Sequence, residues 1–290
     1  MKFGRHYRLT IQMNDKEEAI VIEPPFTIQF NIERNTYATL NTMTLLIYNL
    51  GKETRGRILH DAFDTANLRT VILEVGYDEL ATVFIGNIQQ AGSQRQGANI
   101  ITSINAWDGG FDTVNSTTFT TLSAGATIGD VLRTLAGHFP NINQGVLSGP
   151  EATFSRPVIF DGNTFEQLKK YSNFKTFIDL NTVHVLQDNE VLVAPNIDVI
   201  DPSTGLLETP RRDEAFLSIT TLLEPRIIMG QAISLESTVA QAYNGQYKVI
   251  GVSHEGVISE AIGGQCISRF NLLMGNQLYG KYLEVSATRN

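Results

Sequence analysis

The stretch Thr39–Ile58, TLNTMTLLIYNLGKETRGRI, contains the pattern from which the rest of the chain can be interpreted. Its first half, Met43–Tyr48, is rich in Leu, Ile and Tyr and predicts a buried strand. Asn49–Gly51 interrupts the apolar run, and the polar residues Lys52–Asp61 predict a short helix. The stretch therefore predicts a strand that ends abruptly and leads into a polar helical turn.

Strands are also predicted on both sides of this stretch. Before it, Phe26, Ile28, Phe30 and Ile32 alternate with polar residues, the period of two that one buried face produces. Further predicted strands, given in chain order, include Tyr7–Met13, Ala19–Glu23, Thr70–Val75, Leu80–Ile88, Asn99–Trp107, Phe216–Leu222, Gln231–Glu236, Gln246–His254 and Gln265–Met274. Predicted turns include Gly76–Glu79, Gly92–Gly97 and the hairpin signal Asn244–Gly245. Short strands at this spacing are typical of an antiparallel barrel or sandwich.

The middle of the chain has a mixed pattern. Thr127 is predicted to cap a helix with apolar residues at helical spacing, and Asn163 with Glu166 to begin a second helix. The strands Lys175–Asp179 and Thr182–Leu186 are predicted to pair across a tight turn. A loop is expected over 141–157 and a linker over 195–213. We therefore divide the chain into a β part (1–115), an α+β part (116–213) and a second β part (214–290).

Composition restricts the possible functions. The 290 residues carry a net charge of -8, which disfavours binding of duplex DNA, because phosphate binding needs a basic surface. The single cysteine, Cys266, excludes an internal disulfide and is interpreted as an apolar filler. The N-terminal residues lack a secretory signal and no apolar run is long enough for a membrane helix, so we expect folding in a cytoplasm.

No catalytic constellation is visible in the sequence. His60, Asp61 and Asp64 lie close together but are interpreted as a solvated face rather than a metal site. His254 is expected at the end of a strand with a structural hydrogen bond, and His184 on the outward face of a hairpin. The phosphate-binding, zinc-protease and serine-hydrolase motifs are absent. We predict no catalytic, cofactor or metal site, and no enzyme.

Four segments, taken in order, resemble the baseplate hub proteins of tailed bacteriophages, a family related to the hub part of type VI secretion spikes. They are IYNLGKETRGRI (Ile47–Ile58), VILEVGYDELATVFIGNI (Val71–Ile88), VIFDGNTFEQLKKYSNFKTFIDLNTVHVL (Val158–Leu186), and LLEPRIIMGQAISLES with YNGQYKVIGVSHEG (Leu222–Gly256). The resemblance covers nearly the whole chain. Gly256–Ile258 departs from the acidic residue that ends the last motif in the family.

The resemblance implies a mainly β fold, in which two antiparallel β-barrel domains similar to tail-tube subunits flank the α+β domain. Three copies would form a ring with pseudo-sixfold symmetry that joins the sixfold tail tube to a trimeric spike or needle. The ring would contact other baseplate proteins and leave a channel through which genomic DNA passes, without membrane contact. The protein would be located in the virion tail baseplate, after assembly in the host bacterial cytoplasm.

The residues that the resemblance marks are structural. They end the barrel strand, shape the hairpin and shape the second barrel, and they are Tyr48, Asn49, Leu50, Gly76, Tyr77, Gly86, Pro225, Gly230, Gly245, Tyr247 and His254. An alternative function is a tail component that binds cell-wall carbohydrate or digests the wall. Tyr171, Phe174 and Phe177 form the aromatic cluster of the middle part, and their spacing predicts a core rather than a binding platform.

Overall fold

The computed structural model describes residues 4–13, 18–37, 40–60, 68–192, 197–213, 216–261 and 263–273, and the backbone alone of 281–283. In the first β part the elements follow in chain order. They are β1 (His6–Gln12), β2 (Ile20–Ile22), β3 (Ile28–Asn35), β4 (Thr42–Tyr48), α1 (Lys52–Ile58), β5 (Thr70–Gly76), β6 (Leu80–Gln96) and β7 (Asn99–Trp107).

The first β part ends with α2 (Gly110–Asn115). The α+β part contains two helices and eight short strands. In chain order they are β8 (Thr117–Leu122), α3 (Ile128–Ala136), β9 (Asn143–Leu147), β10 (Val158–Asn163), α4 (Thr164–Tyr171), β11 (Thr176–Asp179), β12 (Thr182–Val185), β13 (Glu190–Leu192), β14 (Asp198–Ile200) and β15 (Arg211–Arg212). The second β part has β16 (Phe216–Leu222), β17 (Ala232–Leu235), the 3-10 turn Gln241–Tyr243, β18 (Gly245–Ile258), β19 (Cys266–Leu273) and β20 (Lys281–Leu283).

One large sheet runs through both β parts. Its strand order is β15-β16-β19-β18-β3-β4-β7-β6-β5-β1-β2, and β17 with β14 branches from β18 to make thirteen strands. The two parts meet where β3 pairs antiparallel with β18, from Ile28 opposite Ile258 to Asn35 opposite Gly251. Two segments more than 200 residues apart thus share a ladder of backbone hydrogen bonds.

Three apolar clusters fill the interior. The first lies under the sheet of the first β part and also receives Leu223, Ile258 and Cys266 from the second. The second belongs to the second β part and receives Phe177, Leu186 and Leu192 from the α+β part. The third lies between α3, α4 and the strands of the α+β part. Because the first two cores include residues from a neighbouring part, the three parts pack against one another.

Local sequence explains the best-formed elements. In β3 the side chains of Ile28, Phe30 and Ile32 are buried while the residues between them face outward. Helix α3 begins with a complete capping box, in which Thr127 and Asp130 each accept a hydrogen bond from the other's backbone. At the start of α4, the Asn163 side chain accepts a hydrogen bond from the backbone of Glu166. The predicted fold class, mainly antiparallel β with an α+β insertion, is confirmed.

Several boundaries differ from the prediction. Gly92–Gln96 is not a turn, because β6 stays paired with β7 as far as Gln96 opposite Asn99. The loop predicted over 141–157 contains β9, which pairs with β12. The short helix α2 was not predicted at all.

The linker and the second β part also differ from the prediction in detail. The predicted linker contains β14 and β15, which pair with β17 and β16. Asn244–Gly245 is not a two-residue hairpin turn, because β17 ends at Leu235 and the 3-10 turn fills the longer connection. Phe26 precedes β3 and is exposed.

Candidate functional site

A buried ion pair joins the first β part to the α+β part. The Arg34 guanidinium, on β3, donates a hydrogen bond to the Asp179 carboxylate, at the end of β11, over 2.8 Å. Their side chains are 1% and 4% exposed. The other Asp179 oxygen accepts a hydrogen bond from the backbone of Met229, at 3.3 Å. Because a buried charge without a partner is costly, each of these groups requires the other in place.

His254, on β18, brings the second β part into the same cluster. Its Nε2 lies 3.4 Å from Nη2 of Arg34, and its Nδ1 lies 2.8 Å from the Ser268 hydroxyl. Burial, and then the nearby guanidinium, lowers the pKa of His254 well below its ordinary value, so the ring is neutral. A guanidinium only donates, so Nε2 accepts and the protonated Nδ1 donates to Ser268.

Asp108 is the second carboxyl of this region. One of its oxygens accepts a hydrogen bond from the backbone of Asn181 at 2.8 Å, and the other, Oδ2, is buried without a hydrogen-bond partner among the described residues. Burial, followed by the nearby Asp179 carboxylate, raises the pKa of Asp108 to about 7. Close by, the Asn41 side chain donates to the carbonyl oxygen of Ile178 at 2.6 Å.

We call these five side chains, Arg34, Asn41, Asp108, Asp179 and His254, the buried junction. They come from all three parts of the chain and lie 5% exposed or less. Their chemistry is that of a rigid joint, because hydrogen-bonded charges removed from water fix the relative position of the elements that carry them. We assign the buried junction as the candidate functional site of the protein.

Most of the buried junction was not predicted from the sequence. Arg34 follows Ile28, Phe30 and Ile32 at the same period of two, so the alternation itself placed a charge on the buried face. The alternation is therefore a local signal from which the burial of Arg34 is predictable. Asp179 and His254 lie 145 and 220 residues from Arg34, and nothing in the sequence indicates that they meet it.

At the first marked motif, Asn49 extends the β4 ladder beyond the strand. Its backbone amide donates to the carbonyl oxygen of Ile100 at 2.7 Å, and its side-chain oxygen accepts from the amide of Ile100 at 2.9 Å. Asn49 has a φ of 60°, a conformation that Asn tolerates better than most residues. Tyr48 ends β4 half-buried, and Leu50 is buried in the first core.

At the second motif, Gly76 ends β5 where the chain turns sharply. A Cβ atom there would lie 1.9 Å from the carbonyl oxygen of Glu79, so no larger residue fits without moving the turn. Tyr77 packs half-buried against the first core, and burial raises the pKa of its hydroxyl. Gly86 lies within β6, buried opposite Val71.

The marked residues of the second β part occupy turns and the strand β18. Gly230 has a φ of 84°, and a Cβ atom there would lie 2.8 Å from Leu186 of the α+β part. Pro225 is buried in the turn after β16, and Gly245 begins β18. The Tyr247 hydroxyl donates to the carbonyl oxygen of Tyr243 at 2.7 Å. The structure thus gives the position of each marked residue, and the structural role that the family resemblance implies for them stays a prediction.

The structure corrects the expected environment of three histidines. His254 is fully buried within β18 rather than at a strand end. His184 is buried, not outward-facing, and stacks on Phe177 with 5.3 Å between ring centroids. His60 is buried and pairs through its backbone with Ala91, so it is not part of a solvated face. Asp61 and Asp64 lie outside the described residues.

The predicted aromatic core of the middle part is only partly right. Phe177 is buried and Tyr171 packs against the third core, but Phe174 is 74% exposed. Among the described residues, no group of three His, Cys, Asp or Glu side chains could hold a metal ion. In the same part of the chain, no helix has the length and apolar character needed to cross a membrane.

Solved structures similar to this chain include tail proteins. The tail protein from Neisseria meningitidis MC58 superposes with a TM-score of 0.60 at 12% identity, covering 93% of this chain and 96% of its own. The 43 kDa tail protein of prophage MuSo2 from Shewanella oneidensis gives 0.60 at 7% identity, covering 92% and 96%. The c3393 protein of E. coli, a component of the type VI secretion system, gives 0.53 at 10% identity, covering 94% and 79%. These likenesses show a shared fold.

Comparison by sequence identifies the family. No curated protein matches the chain. The family model described as Baseplate hub gp41 matches residues 7–255, which is most of the 290 residues and includes all five members of the buried junction. The chain therefore belongs to the Baseplate hub gp41 family and is a structural protein of a bacteriophage tail.

Proposed function

We propose that three copies of this protein form a pseudo-sixfold ring at the tail baseplate. The ring joins a sixfold tail tube on one side to a trimeric spike or needle on the other, and it contacts other baseplate proteins. Each chain supplies two tube-like domains, 1–115 and 214–290, so three chains present six such domains to the tube. The α+β domain, 116–213, lies on the outside of the ring.

The observation that carries this proposal is the pairing of β3 with β18. It places the two β parts side by side in one sheet. Neighbouring domains of a ring must lie side by side in this way. The buried junction supports the same arrangement, because it ties the α+β part to both β parts at once. A connector that transmits force between tube and spike requires such a stiff subunit.

The ring leaves a channel for genomic DNA. The net charge of -8 supports this part of the proposal, because an acidic wall repels phosphates and lets DNA slide past without binding. A ring whose channel is lined by basic side chains would contradict it. The test is a cryo-electron microscopy map of the assembled ring, from which the charge of the channel wall can be assigned.

Assembly is tested by measuring the mass of the purified protein by light scattering over a concentration series. A trimer has three times the 32.0 kDa mass of one chain and should appear as a ring in electron micrographs. The spike protein is then added to the same samples, since ring closure can depend on a partner. A chain that remains monomeric both alone and with its spike would refute the ring.

The alternative function is tested in parallel. A tail component that digests the cell wall would release soluble fragments from purified peptidoglycan. Because the family is one of structural hub proteins, we expect no release above a buffer control. Turnover that persists after repeated purification would favour the alternative.

A further inference from the structure

A groove of about 300 Å³ opens where the three parts of the chain meet. Thr36 and Tyr37 line it from the first β part, and Lys248, Ile250 and Leu273 from the second. The α+β part contributes the remaining wall, which includes Lys169, Phe174, Lys175, Phe177, Leu186 and Asp188. The groove lies outside the buried junction, and none of the roles described above uses it.

The floor of the groove contains a buried cation. Lys248 is 4% exposed, and its ammonium donates a hydrogen bond to the carbonyl oxygen of Gln187 at 2.7 Å. Among the described residues, no carboxylate oxygen lies within 4.0 Å of the Lys248 ammonium, the distance limit for an ion pair. Burial lowers the pKa of Lys248 to about 8, with Asp188 and Glu190 acting in the opposite direction. Since buried charges in proteins are normally paired, the position suits a carboxylate supplied from outside.

The wall of the groove carries two exposed aromatic rings. Phe174 is 74% exposed and Tyr37 is 64% exposed. Phe174 also has a φ of 60°, a conformation that is rare for a bulky residue. The unfavourable backbone conformation of Phe174 lowers stability, and the two exposed rings give the wall of the groove an apolar surface. Both features are common at binding sites.

The charge of the groove favours an acidic ligand. Three lysines, Lys169, Lys175 and Lys248, line it against one carboxylate, Asp188. Asp188 is already paired with Lys175 at 2.7 Å. This local excess of positive charge contrasts with the net charge of -8 for the chain.

We propose that the groove binds an acidic peptide segment of a partner protein. A carboxylate of the segment pairs with Lys248 on the floor, and an adjacent apolar side chain packs against Phe174 and Tyr37. Leu186 and Leu273 supply the apolar surface between these two points. The segment would contact all three parts of the chain at once. The inference does not depend on the ring, because every residue of the groove comes from one chain.

The test measures fluorescence anisotropy with a fluorescein-labelled probe, the peptide Glu-Glu-Phe-Glu-Glu, on the full-length protein. We expect saturable binding that weakens as sodium chloride is added. The substitutions Phe174→Ala and Lys248→Met should each weaken binding at least tenfold. Phe174 is exposed, so its variant remains informative even where the buried Lys248→Met fails to fold.

The matched control is Phe119→Ala, which removes a ring that is 84% exposed on β8 and does not line the groove. It should leave the affinity unchanged. A probe in which every Glu is replaced by Gln should not bind. No binding of the acidic probe, equal binding of the Gln probe, or equal weakening by Phe119→Ala would overturn the proposal. Chitohexaose is also added as a competitor of the acidic probe. If it displaces the probe from the wild type but not from Phe174→Ala, the proposal is overturned in favour of a carbohydrate ligand.

Discussion

Asp108 links the stability of the buried junction to pH through a single carboxyl. Its ordinary pKa of 3.8 is raised to about 7 by burial and by Asp179, so between these values the folded protein holds a proton that the unfolded chain has lost. The stability contributed by this proton is therefore complete below about pH 4 and is lost as the pH rises to about 7. His184 and His254 make stability increase with pH instead, because burial lowers both of their pKa values.

Substitution of Asp108 by Asn isolates this effect. The two histidines titrate in both proteins, so their contributions cancel when the free energies of unfolding of wild type and variant are subtracted. We expect Asp108→Asn to be about as stable as the wild type at pH 4 and more stable at pH 8. The difference should grow by roughly 1.4 kcal/mol per pH unit up to about pH 7 and then level off. The measurement is urea unfolding, followed by the fluorescence of the single tryptophan, Trp107. The exposed carboxyl variant Asp161→Asn is the control, and wild-type and Asp108→Asn curves that stay parallel would contradict the assignment.

At the scale of elements, the hairpin formed by β6 and β7 extends beyond the core. We call residues 92–101 the arm. Its backbone ladder continues to Gln96 opposite Asn99, yet residues 93–99 are exposed. A two-stranded ribbon is only marginally stable in water by itself. Asn49 supports the base of the arm through its two bonds to Ile100, and its side-chain amide donates to the Asn99 oxygen at 3.1 Å.

Two substitutions of Asn49 separate its backbone role from its side-chain role. Asn49→Gly keeps the freedom to adopt a φ of 60° but loses the side-chain hydrogen bonds, whereas Asn49→Ala loses both. We expect amide hydrogen exchange over 93–101 to be fastest in Asn49→Ala and intermediate in Asn49→Gly. The loss of stability in Asn49→Ala should be about 1–3 kcal/mol.

The control for Asn49 is Asn173→Ala, which strains another residue of positive φ far along the chain. It should lower global stability without accelerating exchange in the arm. Equal exchange in the Gly and Ala variants of Asn49 would mean that backbone conformation is irrelevant there. If both Asn49 variants exchanged as slowly as the wild type, Asn49 would not stabilise the arm.

Elements were predictable wherever a local pattern decides them. The alternation in Ile28–Ile32 and the capping residues Thr127 and Asn163 gave the strand β3 and the helices α3 and α4, because burial and capping act over a few residues. The end of β6 was misplaced, since Gly92 was interpreted as a turn while pairing with β7 maintains the strand. The strand β9 was missed because its neighbour β12 lies far along the chain.

The candidate site was predicted less well, for a physical reason at the scale of the whole molecule. The buried junction depends on which distant segments meet, and that is decided by the packing of three cores rather than by any local period. Arg34 on the buried face of β3 was the one local signal. Its partners Asp179 and His254 become visible only when β11 and β18 are placed beside β3.

The same long-range contacts predict how the whole molecule responds to losing Arg34. Arg34→Met leaves the Asp179 carboxylate buried without its charge partner, so we expect a loss of about 3–5 kcal/mol in the free energy of unfolding. The double variant Arg34→Met/Asp179→Leu removes both charges and should recover part of that loss. It also remains measurable if the single variant does not fold. Urea unfolding provides the measurement, with Arg226→Met as the control, because it breaks an ion pair to Glu79 in which both side chains are exposed. Should Arg34→Met cost no more than Arg226→Met, the buried junction would not be what holds the three parts of this hub protein in one rigid unit.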